Sequence, residues 1–304
     1  MKRITAFMIA LSAFALFSSC CRSDRGGIRG VKHVVVVGFD GLAGNVFDKL
    51  DMPTLQTMVD EGAWTAKARS ILPSSSACNW ASMYMGVGPE MHGFNTWGSR
   101  KPDFPSVETG KNGIFPTILT VLRDHDPDMD ICVMYEWEVQ GDLIDNKAAT
   151  FHKHIPMGEG RSKDITDAFT AYLAENKPEF SMVIYDSPDV EGHKYGWGSE
   201  PYMDRMHELD AHLARIVETV KQAGMYDNTV FVIVSDHGGT GTGHGGTTMA
   251  EMEAPLVFFG RGVKHGHEIA ASVMRYDTAP TIAYIFGAET PDAWRGKVIR
   301  EAFE

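Results

Sequence analysis

Cysteine is scarce in this 304-residue sequence: there are four, Cys20, Cys21, Cys78 and Cys132. The first two fall in an N-terminal leader, so at most one pair remains, which excludes a disulfide-stapled scaffold. Positive charge is also short. Lys and Arg number 28 against 40 Asp and Glu, for a formal net charge of −12. Loss of a leader carrying Lys2 and Arg3 makes the balance more negative still. That excludes non-specific binding to a nucleic acid duplex. It leaves room for an anionic substrate, because bound divalent cations invert a local field. No internal repeat and no low-complexity tract occurs. Hydrophobic content of 43% and charged content of 22% describe an ordinary globular chain.

What is present begins with "MKRITAFMIALSAFALFSSCC". Two basic residues, an apolar run and small residues before Cys make a secretory signal, too short for a membrane span. "LFSSC" resembles a bacterial lipoprotein signal, in which the Cys carries the lipid. The expected organisation is therefore a signal peptide over 1–20, a flexible tether over 21–30 and one domain over 31–304. The expected location is exported, periplasmic or on the cell surface, with membrane attachment through a lipidated Cys20.

Beyond the tether, apolar β-branched runs alternate with helical patterns. Strands are expected at 31–41, 65–72, 129–135, 180–186, 229–239 and 254–260. Helices are expected at 53–63, from 77, at 115–125, 164–176, 200–223 and 277–287, with loops over 86–113. Continuous apolar runs suit strands covered on both faces. The alternation predicts an α/β fold with a mostly parallel central sheet and helices on both faces. In such sheets function gathers beyond the carboxyl ends of the strands, and three strands here end in acids: Asp40, Asp186 and Asp236.

Three further segments carry chemistry. "SPDVEGHKYG" places Asp189 and His193 four apart, able to share a side if the chain makes one helical turn. "SDHGGTGTGHGG" holds Asp236, His237 and His244 among glycines that let the chain turn. Each alone reads equally well as a polar loop. Together they give three Asp and three His at strand-to-loop junctions. Carboxylate and imidazole suit Zn²⁺, and also Mn²⁺ or Fe, and six such ligands divide into two sites that could clamp an in-line displacement at phosphorus. "PSSSACNWAS" then raises a choice for its serines. Ser76 is expected at a helix start, where it could act as an ordinary cap or supply a nucleophilic hydroxyl beside free N–H groups and the positive helix end. Asn79, one turn on, could offer its amide to a phosphoryl oxygen.

"VVVGFDG", "LPSSSACNWASMYMGVGPEMHG", "PDVEGHKYG" and "SDHGGTGTGHGG" together resemble the alkaline phosphatase superfamily, in its nucleotide pyrophosphatase/type I phosphodiesterase branch. The resemblance runs from about residue 31 to 300 and implies an alkaline phosphatase-like catalytic domain. It implies one divalent ion held by Asp40, Ser76, Asp236 and His237, a second held by Asp189, His193 and His244, and Zn²⁺ at both. Ser76 becomes the nucleophile and Asn79 a catalytic stabiliser of phosphoryl charge. The implied activity is cleavage of a phosphodiester or pyrophosphate bond through a covalent phospho-Ser intermediate. The implied substrate is a small phosphoester, such as a nucleotide, a nucleotide sugar or a phospholipid head group. Two departures stand out. The diesterase branch usually has Thr at the position of Ser76, as the monoesterases have Ser, so a phosphomonoesterase using the same site is the alternative. His244 follows His237 by only seven residues, whereas many nucleotide pyrophosphatases place this His far downstream. Sulfatases need a C-x-P-x-R context, which Cys78-Asn79-Trp80 lacks. A non-catalytic scaffold would need a lost ligand, and none is missing.

Other candidates carry less. His152 and His154 share one strand face in "FHKHI". His92 reads as a structural hydrogen-bonding residue, and Asp186 as support behind the ligands. Trp97, Tyr135, Trp137 and Tyr195 could line a pocket.

Overall fold

A computed structural model describes residues 27–304; the expected signal peptide, its Cys20, Cys21 and most of the tether lie outside the described residues. Eight strands form one sheet: β1 (His33–Phe39), β2 (Ala63–Arg69), β3 (Ile131–Tyr135), β4 (Phe151–His154), β5 (Phe180–Tyr185), β6 (Thr229–Val234), β7 (Glu253–Gly260) and β8 (His267–Glu268). Among the described residues ten α-helices surround them: α1 (Pro53–Glu61), α2 (Ser76–Met85), α3 (Pro89–His92), α4 (Ile118–His125), α5 (Gln140–Leu143), α6 (Lys163–Asn176), α7 (Asp189–Tyr195), α8 (Glu200–Gln222), α9 (Met249–Met252) and α10 (Thr278–Phe286).

The strand order is β4-β3-β5-β1-β6-β7-β2-β8. β7 alone runs against its neighbours β6 and β2; the other pairings are parallel. The mostly parallel sheet is as expected from the alternation, but apolar runs carry no sign of strand direction, so the reversal of β7 was not. β2 lies two to three residues earlier than expected, because the chain after Arg69 turns toward α2 instead of continuing the ladder.

The period of two along a strand sorts side chains onto two faces. In β1, Val34 and Val36 enter one core cluster, and Val35, Val37 and Phe39 the other. β6 does the same with Val230, Val232 and Val234 against Phe231 and Ile233. The first cluster is covered by α2, α4 and α10. The second is covered by α1, α6 and α8, where Met206, Leu209, Leu213, Ile216 and Val220 make a buried stripe at helical spacing. The residue at the N-cap of α1 is Met52, whose side chain cannot cap a helix. Asp210 of α8 does so, accepting from Thr54 N at 2.9 Å and Leu55 N at 2.9 Å. Among the described residues no helix is long and apolar enough to cross a membrane.

Register places the acids. Gly38 pairs with Val234 and Phe39 with Tyr185. Two steps and one step further, respectively, bring Asp40 opposite Asp236 and Asp186 at the carboxyl edge of the sheet.

Candidate metal centre and nucleophile

Asp40 leaves the end of β1 and is almost fully buried. Its Oδ2 accepts from Trp80 Nε1 at 2.9 Å. Its Oδ1 lies 3.4 Å from Ser76 Oγ and 3.5 Å from His237 Nε2. Asp236 follows β6; its Oδ1 accepts from Gly41 N at 3.1 Å, and its Oδ2 lies 3.2 Å from His237 Nε2. Ser76 Oγ is 3.1 Å from His237 Nε2. A second group forms beside this one. His193 Nε2 lies 3.3 Å from Asp189 Oδ2, His244 Nε2 lies 3.6 Å from Asp189 Oδ1, and the two Nε2 atoms are 3.1 Å apart. The His237 and His244 rings stack at 3.8 Å and join the groups. All seven residues expected to hold metal therefore converge.

The tautomers follow from backbone geometry. His237 Nδ1 faces Gly238 O at 2.8 Å, His193 Nδ1 faces Thr242 O at 3.0 Å, and His244 Nδ1 faces Ser74 O at 2.9 Å. A carbonyl only accepts, so each Nδ1 carries a proton, and the neutral ring presents a lone pair at Nε2. Those lone pairs point at carboxylate oxygens or at each other. Buried Asp236 Oδ2 and Asp189 Oδ1 have no hydrogen-bond donor. Acceptors facing acceptors in a buried space repel, unless a cation sits between them. Oxygen and imidazole donors in this arrangement fit Zn²⁺. Atoms of Asp189, His193 and His244 lie within reach of one ion, and so do those of Asp40, Asp189 and His237. Asp189 thus stands between the two positions, where the resemblance had assigned it to one.

The titration shifts have the same origin. Burial, then the charges of Asp236, Asp189 and Asp186, pushes the Asp40 carboxyl well above the ordinary range. Burial and the same crowding raise Asp189, and burial carries Asp236 up to about 6. Burial lowers His237 to about 3 and His244 to about 4, which keeps both imidazoles neutral, the form that ligates.

α2 corrects two expectations. Its N-cap is Ser75, and Ser76 is the first helical residue, so Ser76 does not cap. Its hydroxyl is turned instead to Asp40 and His237. Asn79 is not available to a phosphoryl oxygen. Its Nδ2 lies 3.2 Å from Ile71 O, 3.1 Å from Pro73 O and 3.0 Å from Ser75 O, and its Oδ1 accepts from Ile71 N at 2.6 Å. Two amide hydrogens already serve three carbonyls. Asn79 fastens the turn that presents Ser76.

The weaker candidates separate. His92 is structural as expected: Nδ1 accepts from Phe94 N at 3.0 Å, leaving Nε2 to donate to Ser82 Oγ at 2.9 Å. His154 Nε2 donates to Glu136 O at 2.8 Å on the edge strand β4 and is in neither group of converging donor atoms. Asp186 does not reach an ion position, and burial pushes it up to about 6. Tyr135 is buried against His154. Trp97 is exposed and stacks on Trp137 at 6.3 Å, and Tyr195 is exposed beside Lys194. Arg100 is engaged by Glu138 at 2.5 Å and Asp142 at 2.9 Å. Trp80 was not singled out from the sequence; its place four residues after Ser76, on the same helix side, was the signal that it shares Asp40.

The family model for type I phosphodiesterase / nucleotide pyrophosphatase matches residues 34–257. The chain is 23% identical over 252 residues to a Bos taurus bis(5'-adenosyl)-triphosphatase ENPP4, covering 77% of this chain and 53% of that protein. It is 25% identical over 226 residues to the Rattus norvegicus ectonucleotide pyrophosphatase/phosphodiesterase family member 7, covering 68% and 50%. It thus spans about half the length of these curated relatives. Among solved structures, an inactive murine ectonucleotide pyrophosphatase / phosphodiesterase 5 in complex with AMP superposes with a TM-score of 0.71 at 12% identity, covering 90% of this chain and 100% of that one. A 2-O GAG sulfatase superposes with a TM-score of 0.71 at 13% identity, covering 88% of this chain and 73% of that one. These likenesses establish the shared fold.

Proposed function

The chain belongs to the type I phosphodiesterase / nucleotide pyrophosphatase family, and on that premise we propose that it is an exported, lipid-anchored phosphohydrolase that uses two divalent ions and Ser76 to cleave phosphodiester or pyrophosphate bonds. The observation that carries this reading is the Ser76 hydroxyl, held 3.1 Å from His237 Nε2 and 3.4 Å from Asp40 Oδ1, beside two groups of converging carboxylate and imidazole atoms. Zn²⁺ bound there would neutralise the carboxylates, favour an ionised oxygen nucleophile and offset charge on the reacting phosphoryl group.

The chain's own residues do the rest. Asp40 is fixed by Trp80 and Asp236 by the Gly41 N–H, so neither carboxylate needs to reorganise. Ser76 Oγ loses its proton and forms a bond to phosphorus as the bond to the leaving oxygen breaks, giving a phosphodiester on Ser76 and a free alcohol or phosphate. Water then attacks the same phosphorus, the P–Oγ bond breaks, and Ser76 recovers a proton. The start of α2 places backbone N–H groups and the positive helix end beside Ser76, and Asn79 keeps that turn in shape.

The substrate class is a small phosphoester: a nucleotide, a nucleotide sugar or a phospholipid head group. Arg100, the arginine of the loop that follows α3, is spent on Glu138 and Asp142, which disfavours a dianionic monoester clamp. Ser rather than Thr at position 76 is the one feature that favours the monoesterase alternative. Metal content of the purified protein, with rates on bis-p-nitrophenyl phosphate and p-nitrophenyl phosphate, tests both. Two equivalents of metal and faster diester cleavage are expected. Two equivalents with faster monoester cleavage would move the protein to the monoesterases, and no metal with no turnover would overturn the reading.

A further inference from the structure

The imidazoles at the open ion position are each pinned by one hydrogen bond, from Nδ1 to a backbone carbonyl. A ring held at one atom can still swing about that contact and carry its Nε2 off target. His244 is also stacked on His237 at 3.8 Å; the constraint that both rings share is Trp197. Its indole meets the His193 ring edge-on at 5.3 Å and 83°, and the His244 ring at 5.8 Å and 68°. Its Nε1 donates to Gly41 O at 2.9 Å, one residue after Asp40, and its backbone N–H donates to Gly241 O at 2.9 Å. Gly41 O also accepts from Tyr202 Oη at 2.9 Å, and the Tyr202 ring lies 6.4 Å from the indole.

The slot that receives the indole is built by glycines. A Cβ on Gly192 of α7 would come within 2.7 Å of indole carbons, and one on Gly239 within 2.2 Å. Both distances are below anything a real side chain tolerates, and the obstruction is a rigid bicyclic ring that cannot fold aside. Gly192 precedes His193 directly, and Gly239 lies in the loop that delivers His244. One side chain therefore joins the end of β1, α7, the start of α8 and the glycine loop after β6. The first two and the last of these segments carry Asp40, His193 and His244.

We propose that Trp197 is a positioning residue for the open ion position: wedged between Gly192 and Gly239, it walls His193 and His244 so that both Nε2 atoms face Asp189. The assignment rests on the two-ion reading. The buried position has its own supports, Trp80 on Asp40 and Gly41 N on Asp236; the indole reaches it only at second hand, through Gly41 O and the His244–His237 stack. Loss of Trp197 therefore weakens the open position more than the buried one, whereas a general contribution to folding weakens both alike.

The test is calorimetric titration of the full chain, stripped of metal, with Zn²⁺ alone. Wild type binds two equivalents. Trp197→Leu keeps one tight equivalent and binds the other about ten- to a hundredfold more weakly, the range seen when groups behind metal ligands are removed. Gly239→Ala, which pushes the indole out of its slot from the other side, shows the same selective loss. Should Trp197→Leu not fold, Gly239→Ala decides. Wild-type affinity for both ions in the deciding variant overturns the assignment, and so does equal weakening of both. Fewer than two equivalents in the wild-type protein overturns the two-ion reading itself, a result distinct from either.

Discussion

The two halves of the metal centre are built by different means. Asp40, Asp236 and His237 are 2%, 0% and 0% exposed. They sit where two neighbouring parallel strands end, and strand register alone sets the acids side by side. Asp189, His193 and His244 form the open half, with the His193 side chain 47% exposed. They come from a seven-residue helix and a glycine loop, and no ladder holds them. A ligand set made by a sheet edge is rigid because the whole sheet fixes it. A set made by short segments depends on whatever is wedged between them. Nucleophile and rigidity lie together, since Ser76 opens onto the buried half.

That comparison predicts its own largest effect. Ser76→Ala removes the attacking oxygen without removing any imidazole or carboxylate, so turnover should fall at least about a thousandfold while bound metal stays near two equivalents. Metal analysis and rates on the same preparation check this. Wild-type turnover in the variant on every phosphoester would place the chemistry outside the buried half.

A smaller, graded effect separates the halves directly. Solvent access to a site governs how readily its ion exchanges, and the open half has a half-exposed ligand. Titration with a chelator should remove the two ions in separate steps, with apparent affinities differing by about tenfold or more. His193→Ala should lose the weaker step alone. A single concerted step would mean that Asp189, which reaches both positions, couples the halves too strongly for the distinction to hold.

The same division marks how far the sequence could be read. Asp40 and Asp236 were legible because each ends a continuous apolar run, and β1 and β6 are neighbours in the sheet. Asp189 and His193 were legible as a spacing, but that "PDVEGHKYG" is helical depends on contacts from elsewhere, Asp189 N to Asp40 O at 2.9 Å among them. Asn79 misled for a related reason. An amide one turn from Ser76 is within reach of the nucleophile's surroundings, yet the turn 71–75 comes back under it and takes both its hydrogens. Trp197 gave no signal at all: its two glycines lie five residues before it and forty-two after, and only the fold brings them to either side of the indole. Local pattern reports what a segment prefers, and the open half is assembled from what segments do to each other.

The smallest effect concerns the frame around the buried half. His92 of α3 holds Ser82 of α2, the helix that starts at Ser76, and burial drives the His92 pKa down to about 3. Its Nδ1 is the acceptor for Phe94 N, so a proton there would face another donor. The ordinary value for an unfolded histidine is near 6.5. Above that pH both states are neutral and His92 imposes no penalty. As pH falls from about 6.5 toward 3, the unfolded chain binds the proton and the native one does not. Stability is lost over this window by up to about 1.4 kcal/mol per pH unit. Urea unfolding between pH 7 and 4 measures it. His92→Gln should start less stable, because the buried pairing with Ser82 and Phe94 N is disturbed, but it should show a shallower acid slope. An unchanged slope would assign the acid sensitivity to other buried groups.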